Sequence, residues 1–241
     1  MGGRGSRSVS GTGQVVEGRG GSVDLEGLMI PDGRSDIQTM FGEIGFKGVY
    51  GTDDMDTAVL GAYGIQLNQL ERKFGAVSST NTDVGMTRKA DFVAAVSYEP
   101  TNPANQTLIF NLADMGSIKN ATSQQRESEK AGWSMKTDGS LKSHARYTVT
   151  HEYGHILHNA LYTRARQRGY RGTRDQFVNE ASKKISDIAR GKYGGRKSGG
   201  ISEYGKTNSR EFFAEAFASS QLGKPNAVGM AMSDWLTSQG F

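Results

Sequence analysis

The sequence contains no cysteine, which excludes disulfide bonds, cysteine-ligated metal sites and thiol catalysis. Any metal ion must therefore be held by histidine, aspartate and glutamate side chains. No apolar run approaches the roughly 18 residues that a membrane-spanning helix needs, and no apolar stretch follows the N-terminal arginines as in a signal peptide. We therefore expect a soluble protein without membrane contacts that is cytoplasmic, virion-associated or delivered by a route other than Sec.

The chain is also poor in hydrophobic residues (35%) and rich in glycine, with 33 among 241 residues, so part of it is expected to be loop or tail. Residues 1–22, rich in Gly, Arg and Ser, are predicted to form a flexible arm. Residues 23–241 are predicted to form a single domain, with a catalytic core from about residue 90 to residue 241. An arm that contacts nucleic acid or a large assembly is the alternative. The net charge of +4 is spread along the chain and does not indicate specific nucleic-acid binding.

The pattern of hydrophobic residues predicts the main helices and strands. Helices are predicted at 53–74, 144–168, 174–190, 208–222 and 227–237, with Gly75 as the stop of the first. Two β-rich runs, 92–98 and 107–112, are predicted to be neighbouring strands joined by a loop rich in Pro and Asn. Turns and short strands are expected from 23 to 50, and a mobile glycine-rich loop from 191 to 208. The segment 116–141 has no clear pattern, and its Trp133 is expected to be a packing anchor.

The residues with the clearest chemical signal lie in the hexapeptide THEYGH. His151 and His155 are four residues apart in a predicted helix, so their imidazoles project from the same face one turn apart. That spacing suits two ligands of one zinc ion, and Glu152 can reach an attacking water molecule as a general base. The alternative is a surface helix with two solvated histidines. Gly154 favours the zinc site, because glycine inside a helix costs stability and indicates the close approach of another segment.

A third protein ligand must come from elsewhere in the chain. His158 lies on the same helical face, but it is about 10.5 Å from His151 along the axis, too far to share one ion. It is expected to contact a ligand or simply to pack. The segment SEYGKTNSREFFAEAFA offers Glu211 and Glu215, one helical turn apart. Glu211 would also suit a capping box with Asn208, so spacing alone leaves the two glutamates as equal candidates.

Two blocks of the sequence, HEYGH and EYGKTNSREFFAEAFA, resemble the two metal-binding blocks of the catalytic domain of anthrax toxin lethal factor and its relatives. This is a gluzincin group that also occurs among phage- and mobile-element-encoded proteins. The resemblance implies that Glu211 is the third metal ligand and that Glu215 contacts a ligand histidine. It also implies that Tyr204 stands beside the metal, opposite Glu152, and stabilises the oxyanion. The closest similarity covers roughly 25 residues, and about 100 residues from His144 onward agree in order and spacing.

The resemblance implies an α+β, zincin-like fold with a small, mostly antiparallel sheet, an active-site helix and a second, glutamate-bearing helix. The predicted function is a toxin- or phage-associated, zinc-dependent metalloendopeptidase that acts on a protein or peptide substrate. A phage particle or a toxin-delivery machinery is a further expected partner. One alternative is a structural protein of the phage head that retains the fold as a scaffold. Another is a polyanion-binding module driven by the arginines.

Overall fold

The computed structural model describes residues 15–18, 21–24, 34–88, 92–136, 140–195, 200–221 and 224–241. These ranges form an α+β fold, which confirms the predicted class. The helices are α1 (Arg34–Ile44), α2 (Thr57–Phe74), α3 (Leu112–Met115), α4 (Ile118–Lys130), α5 (Leu141–Gln167), α6 (Arg174–Tyr193), α7 (Ser209–Gln221) and α8 (Ala227–Ser238). The strands are β1 (Val15–Gly18), β2 (Gly21–Asp24), β3 (Val49–Tyr50), β4 (Asn81–Thr87), β5 (Ala94–Glu99) and β6 (Asn102–Asn111).

The main sheet is mixed, with the strand order β3-β4-β6-β5. β5 and β6 are neighbours, as the sequence predicts, and they pair in an antiparallel manner with Ala94 opposite Phe110. The β3–β4 and β4–β6 pairs are parallel, so the expectation of a mostly antiparallel sheet is wrong. The physical reason is the connection through α2, since a helical crossover between consecutive strands makes them parallel. In addition, β6 inserts between β4 and β5, and β3 is only two residues long and carries no sequence pattern.

The predicted helices agree with the structure to within a few residues at most ends. The side chain of Asp56 caps the start of α2 by accepting a hydrogen bond from Ala58 N, and α2 ends at Gly75, which has a φ of 61°. That conformation favours glycine, so Gly75 is the predicted stop. Turns and short strands were expected where α1 lies, and this expectation is wrong for residues 34–44. α1 is anchored by the buried side chains of Ile37 and Phe41, four residues apart on one face.

Helix α5 carries the HEYGH motif and packs against α2, α7 and the sheet. Tyr153, Ile156 and Leu157 are fully buried on it. Its crossing with α7 is close, because a Cβ atom added to Gly154 would lie 2.9 Å from the Cα of Ala214. The close approach predicted from the glycine is therefore present, and it brings the backbone of α7 directly against the HEYGH motif.

The predicted arm, residues 1–22, lies largely outside the described residues. Within it, the structure describes β1 and the start of β2, which pair in an antiparallel manner with Val16 opposite Val23. Among the helices in the described ranges, none is both long and apolar enough to cross a lipid bilayer.

Candidate metal centre

The two histidines of the motif meet one carboxylate from α7. The Nε2 atoms of His151 and His155 lie 3.1 and 3.3 Å from Oε2 of Glu211. One ligand atom from each of these three residues lies within 4.8 Å of the other two. Two imidazole nitrogens and one carboxylate oxygen are the donor set of hydrolytic zinc sites, in which a fourth position stays open. The residues present could therefore hold a metal ion.

The start of α7 explains how Glu211 reaches this position. Asn208 caps the helix, since its side-chain oxygen accepts hydrogen bonds from the backbone N–H groups of Arg210 and Glu211. Glu211 therefore stands in the first turn, as the capping-box alternative requires. Its carboxylate, however, lies against the histidine imidazoles of α5. The cap and the proposed ligand position are thus compatible, and the cap fixes the turn from which the carboxylate projects.

Glu215, one turn further along α7, lies behind the site. It is fully buried, and its Oε1 accepts hydrogen bonds from the hydroxyl groups of Tyr147 and Ser202. The same oxygen is 3.7 Å from Nδ1 of His151, the imidazole nitrogen that faces away from Glu211. Spacing left the two glutamates as equal candidates. In the structure, Glu211 faces Nε2 of His151 and Glu215 faces Nδ1.

The acidic side chains govern the charge of this cluster. Burial lowers the pKa of His151, but its hydrogen bond with Glu211 and the negative charges of Glu152 and Glu215 outweigh burial and raise that pKa to about 9. Burial raises the pKa of Glu211, but its hydrogen bonds with His151 and His155 outweigh this effect and hold the pKa well below its usual range. The cluster thus stabilises positive charge between the carboxylates, which is the electrostatic requirement for binding a divalent cation.

Glu152 lines a cleft together with His151. Its side chain is buried, and its Oε2 has no hydrogen-bond partner. Burial raises the pKa of this carboxyl, while positive charge on His151 and His155 opposes the shift. A carboxylate group that lines a cleft is able to accept a proton from a molecule bound there.

Tyr204 borders the same cleft from the loop that precedes α7. Its ring lies 5.8 Å from that of His151. Burial, together with the negative charges of Glu211 and Glu152, raises its pKa, so the hydroxyl keeps its proton at neutral pH. With 42% of its surface exposed, Tyr204 can donate this proton in a hydrogen bond to a molecule in the cleft.

The loop that carries Tyr204 is fixed to Glu215. Ser202 donates a hydrogen bond to the Glu215 carboxylate and accepts one from the backbone N–H of Gly205. A Cβ atom on Gly205 would lie 2.6 Å from Cγ of Glu215, so only glycine permits this approach. Where a mobile loop was expected, residues 204–206 form a 3₁₀ turn that places Tyr204 beside the site.

The cleft has a volume of about 270 Å³ and lies between β5, α4 and α5. Trp133 stands at its rim with 51% of its surface exposed, so the expectation that it is a packing anchor is wrong. Its ring makes an edge contact with Tyr204, at 6.4 Å between centroids. Sequence reasoning also missed Tyr147 and Ser202. Tyr147 could have been found, since it precedes His151 by one helical turn.

All six residues predicted for the site lie in one cluster, namely His151, Glu152, His155, Tyr204, Glu211 and Glu215. Their positions are observed, whereas their roles in metal binding and catalysis are proposals. The chain matches no protein-family model, and comparisons with curated proteins and with solved structures give no match.

Proposed function

We propose that this protein is a zinc-dependent metallopeptidase that hydrolyses peptide bonds in a protein or peptide substrate. The observation that carries the proposal is the meeting of His151, His155 and Glu211, whose ligand atoms lie within 4.8 Å of one another. They lie beside a cleft that Glu152 and Tyr204 also line. A toxin or a phage particle as the setting follows only from the sequence resemblance and remains part of the proposal.

The protein's own residues supply the proton transfers that hydrolysis requires. A zinc ion bound at the triad would supply Lewis acidity, which polarises a carbonyl group and lowers the pKa of a water molecule. Glu152 accepts a proton from a water molecule while the oxygen of that water bonds to the carbonyl carbon of the substrate. It then passes this proton to the nitrogen of the leaving amine as the C–N bond breaks. Burial raises the pKa of Glu152, which makes its carboxylate a stronger base than an exposed glutamate.

Tyr204 is proposed to stabilise the negative charge that develops on the carbonyl oxygen. Its hydroxyl remains protonated at neutral pH because its pKa is raised, so it can donate a hydrogen bond to that oxygen. Glu215 lies beside Nδ1 of His151, and Ser202 connects Glu215 to the loop that carries Tyr204. The hydrogen-bond donor and the metal ligands are thus fixed relative to each other before a substrate binds.

The sheet offers a way to bind an extended peptide. Within the described residues, β5 is an edge strand that pairs only with β6, and its first residue borders the cleft. An exposed strand edge binds a peptide backbone through main-chain hydrogen bonds. Phe92, Val93 and Trp133 offer apolar surface to the side chains of such a peptide.

A structural protein that retains the fold only as a scaffold is disfavoured by the buried polar atoms of the site. Oε2 of Glu152 and Oε2 of Glu215 are buried without hydrogen-bond partners. Such an atom costs about 1–3 kcal/mol. A scaffold would gain stability by replacing these glutamates with apolar residues, whereas a metallopeptidase requires them.

The test is zinc analysis combined with proteomic cleavage profiling of the wild type and the Glu152→Gln variant. We expect about one zinc ion per chain in both proteins, because Glu152 is not a ligand, and cleavage by the wild type alone. Glu43→Gln, which changes an exposed glutamate of α1, is the matched control and should cleave like the wild type. Cleavage retained by Glu152→Gln, or no zinc in the wild type, would refute the proposal.

A further inference from the structure

His158 is a buried histidine that the proposed reaction does not use. It follows His155 by three residues on α5, and only 1% of its surface is exposed. Its Nε2 lies 3.2 Å from Nδ1 of His155, within hydrogen-bond distance. Its other nitrogen, Nδ1, is buried without a partner. A leucine or phenylalanine would fill this position without leaving a polar atom unsatisfied, so the histidine requires an explanation.

The tautomer of His155 supplies that explanation. His155 faces Glu211 with Nε2, so a metal ion at the triad would bind this nitrogen in its unprotonated form. The proton of the neutral ring must then lie on Nδ1, where it needs an acceptor. The acceptor within reach is Nε2 of His158.

The two histidines of the triad therefore have different neighbours on their Nδ1 side. Nδ1 of His151 faces the buried carboxylate of Glu215, whereas Nδ1 of His155 faces an uncharged acceptor, the imidazole of His158. The ring of His158 is held edge-on against Phe213 of α7, at 5.7 Å between centroids. The next residue, Asn159, donates a hydrogen bond to the side chain of Gln106 in β6, and this contact fixes the same turn of α5.

We propose that His158 is a positioning residue for the metal ligand His155. By accepting the proton of His155 Nδ1 in a hydrogen bond, it holds the tautomer and the ring orientation in which Nε2 faces the ion. The inference rests on the proposed function, since it assumes a metal ion at the triad. In this arrangement, His155 has the imidazole of His158 beside its Nδ1, whereas His151 has the carboxylate of Glu215.

The test compares the zinc affinities of His158→Phe and His158→Gln, measured by competition with a chelating indicator. Phenylalanine keeps an aromatic ring against Phe213 but cannot accept the hydrogen bond, so zinc affinity should fall about 10- to 100-fold. Glutamine offers an amide oxygen as acceptor, and we expect it to restore most of the affinity.

His144 provides the matched control, because it is an equally buried histidine on the same helix. Its ring is hydrogen-bonded to Gln125 and Tyr63 and contacts no proposed ligand. His144→Phe should cost folding stability as His158→Phe does, yet leave zinc affinity within about twofold of the wild type. An equal loss of affinity in both variants would indicate a general packing effect and overturn the inference.

A second measurement needs no variant. The chain has four histidines, so the nitrogen resonances of all the imidazoles can be assigned in zinc-loaded wild-type protein. We expect the proton of His155 on Nδ1 and an unprotonated Nε2 on His158. A proton on Nε2 of His158 would overturn the inference, even if His158→Phe did not fold.

The two proposals fail in different ways. If the wild-type protein binds zinc but cleaves no peptide, the peptidase proposal is refuted and the proposed role of His158 is not affected. If the wild type has peptidase activity and a folded His158→Phe variant keeps its zinc affinity, only the role of His158 is refuted. If the wild type binds no zinc, both proposals are refuted.

Discussion

At the scale of single residues, the unsatisfied polar atoms of this protein concentrate at the proposed metal centre. The described residues contain five buried side-chain nitrogen or oxygen atoms without a hydrogen-bond partner. Four of them belong to the motif helix or its partner on α7, in His151, Glu152, His158 and Glu215. Such atoms lower the stability of a folded protein. They are therefore expected mainly at functional sites, where the chemistry requires them.

The sequence predicts some of these residues better than others. The spacing of His151, Glu152 and His155 predicts their shared face, because a helix repeats every 3.6 residues. No periodicity relates them to Glu211, since that contact is between two helices. The resemblance to a known family distinguished Glu211 from Glu215, which spacing could not do. Trp133 was interpreted wrongly because hydrophobicity does not distinguish the rim of a cleft from a core.

The raised pKa of His151 leads to a prediction for protein stripped of metal. The folded state holds the imidazole proton more tightly than the unfolded state, whose pKa is 6.5, against about 9 in the fold. This contribution to stability is complete below pH 6.5 and is lost as the pH rises through 9. A displacement of this size corresponds to about 3 kcal/mol.

We therefore expect EDTA-treated protein to lose free energy of unfolding between pH 6.5 and 9, in urea titrations at a series of pH values. At the acidic end, the lowered pKa of Glu211 gives stability that is lost as the pH falls through and below the usual range of a glutamate. The His151→Gln variant is the control, and its stability should be nearly flat from pH 6.5 to 9. A wild type that is equally flat there would contradict the prediction.

At the scale of secondary-structure elements, prediction succeeded where a long amphipathic pattern meets a clear stop signal. α2 has both, from its Asp56 cap to Gly75. α4 escaped prediction because its 13 residues bury only Ile118, Ala121 and Gln125, which leaves almost no apolar stripe. The parallel or antiparallel pairing of the β strands could not be predicted either. Alternation of hydrophobic residues indicates a strand but not the strand with which it pairs.

The crossing of α5 and α7 gives a prediction at this scale. In Gly154→Ala, the new methyl group would lie 2.9 Å from Cα of Ala214, so the two helices must separate. We expect a loss of about 1–3 kcal/mol in stability. A measurable fall in zinc affinity should accompany it, because Glu211 moves with α7.

Gly191→Ala is the matched control for this change. Gly191 lies in α6, and a Cβ atom there would meet nothing within 4 Å. Alanine is the better helix former, so this variant should be neutral or up to about 1 kcal/mol more stable. Urea titrations and zinc competition on both variants test the pair. A Gly154→Ala protein as stable and as tight for zinc as Gly191→Ala would show that the crossing does not set the geometry of the centre.

At the scale of the whole molecule, the proposed metal centre connects parts of the chain that the sequence keeps far apart. His151 and His155 belong to α5, which packs on the sheet, α2 and α7, and Glu211 belongs to α7, which also packs on α6 and α8. A metal ion held by all three would therefore add a further link to the packing of α5 on α7. The secondary structure of each helix is predictable from local patterns, but the contact between the two helices depends on packing that no local pattern encodes.

Zinc should for that reason raise the melting temperature of the entire protein. A ligand present at about 1,000 times its Kd and bound only by the folded state adds about 4 kcal/mol. For a chain of this size, each kcal/mol shifts the melting temperature by about 2–4 °C. We expect a rise of about 8–16 °C in calorimetry of the wild type with zinc, relative to EDTA. Glu211→Gln, which replaces the carboxylate that links α7 to α5, should lose most of this rise. If zinc leaves the melting temperature of the wild type unchanged, the three residues do not form a metal site in solution.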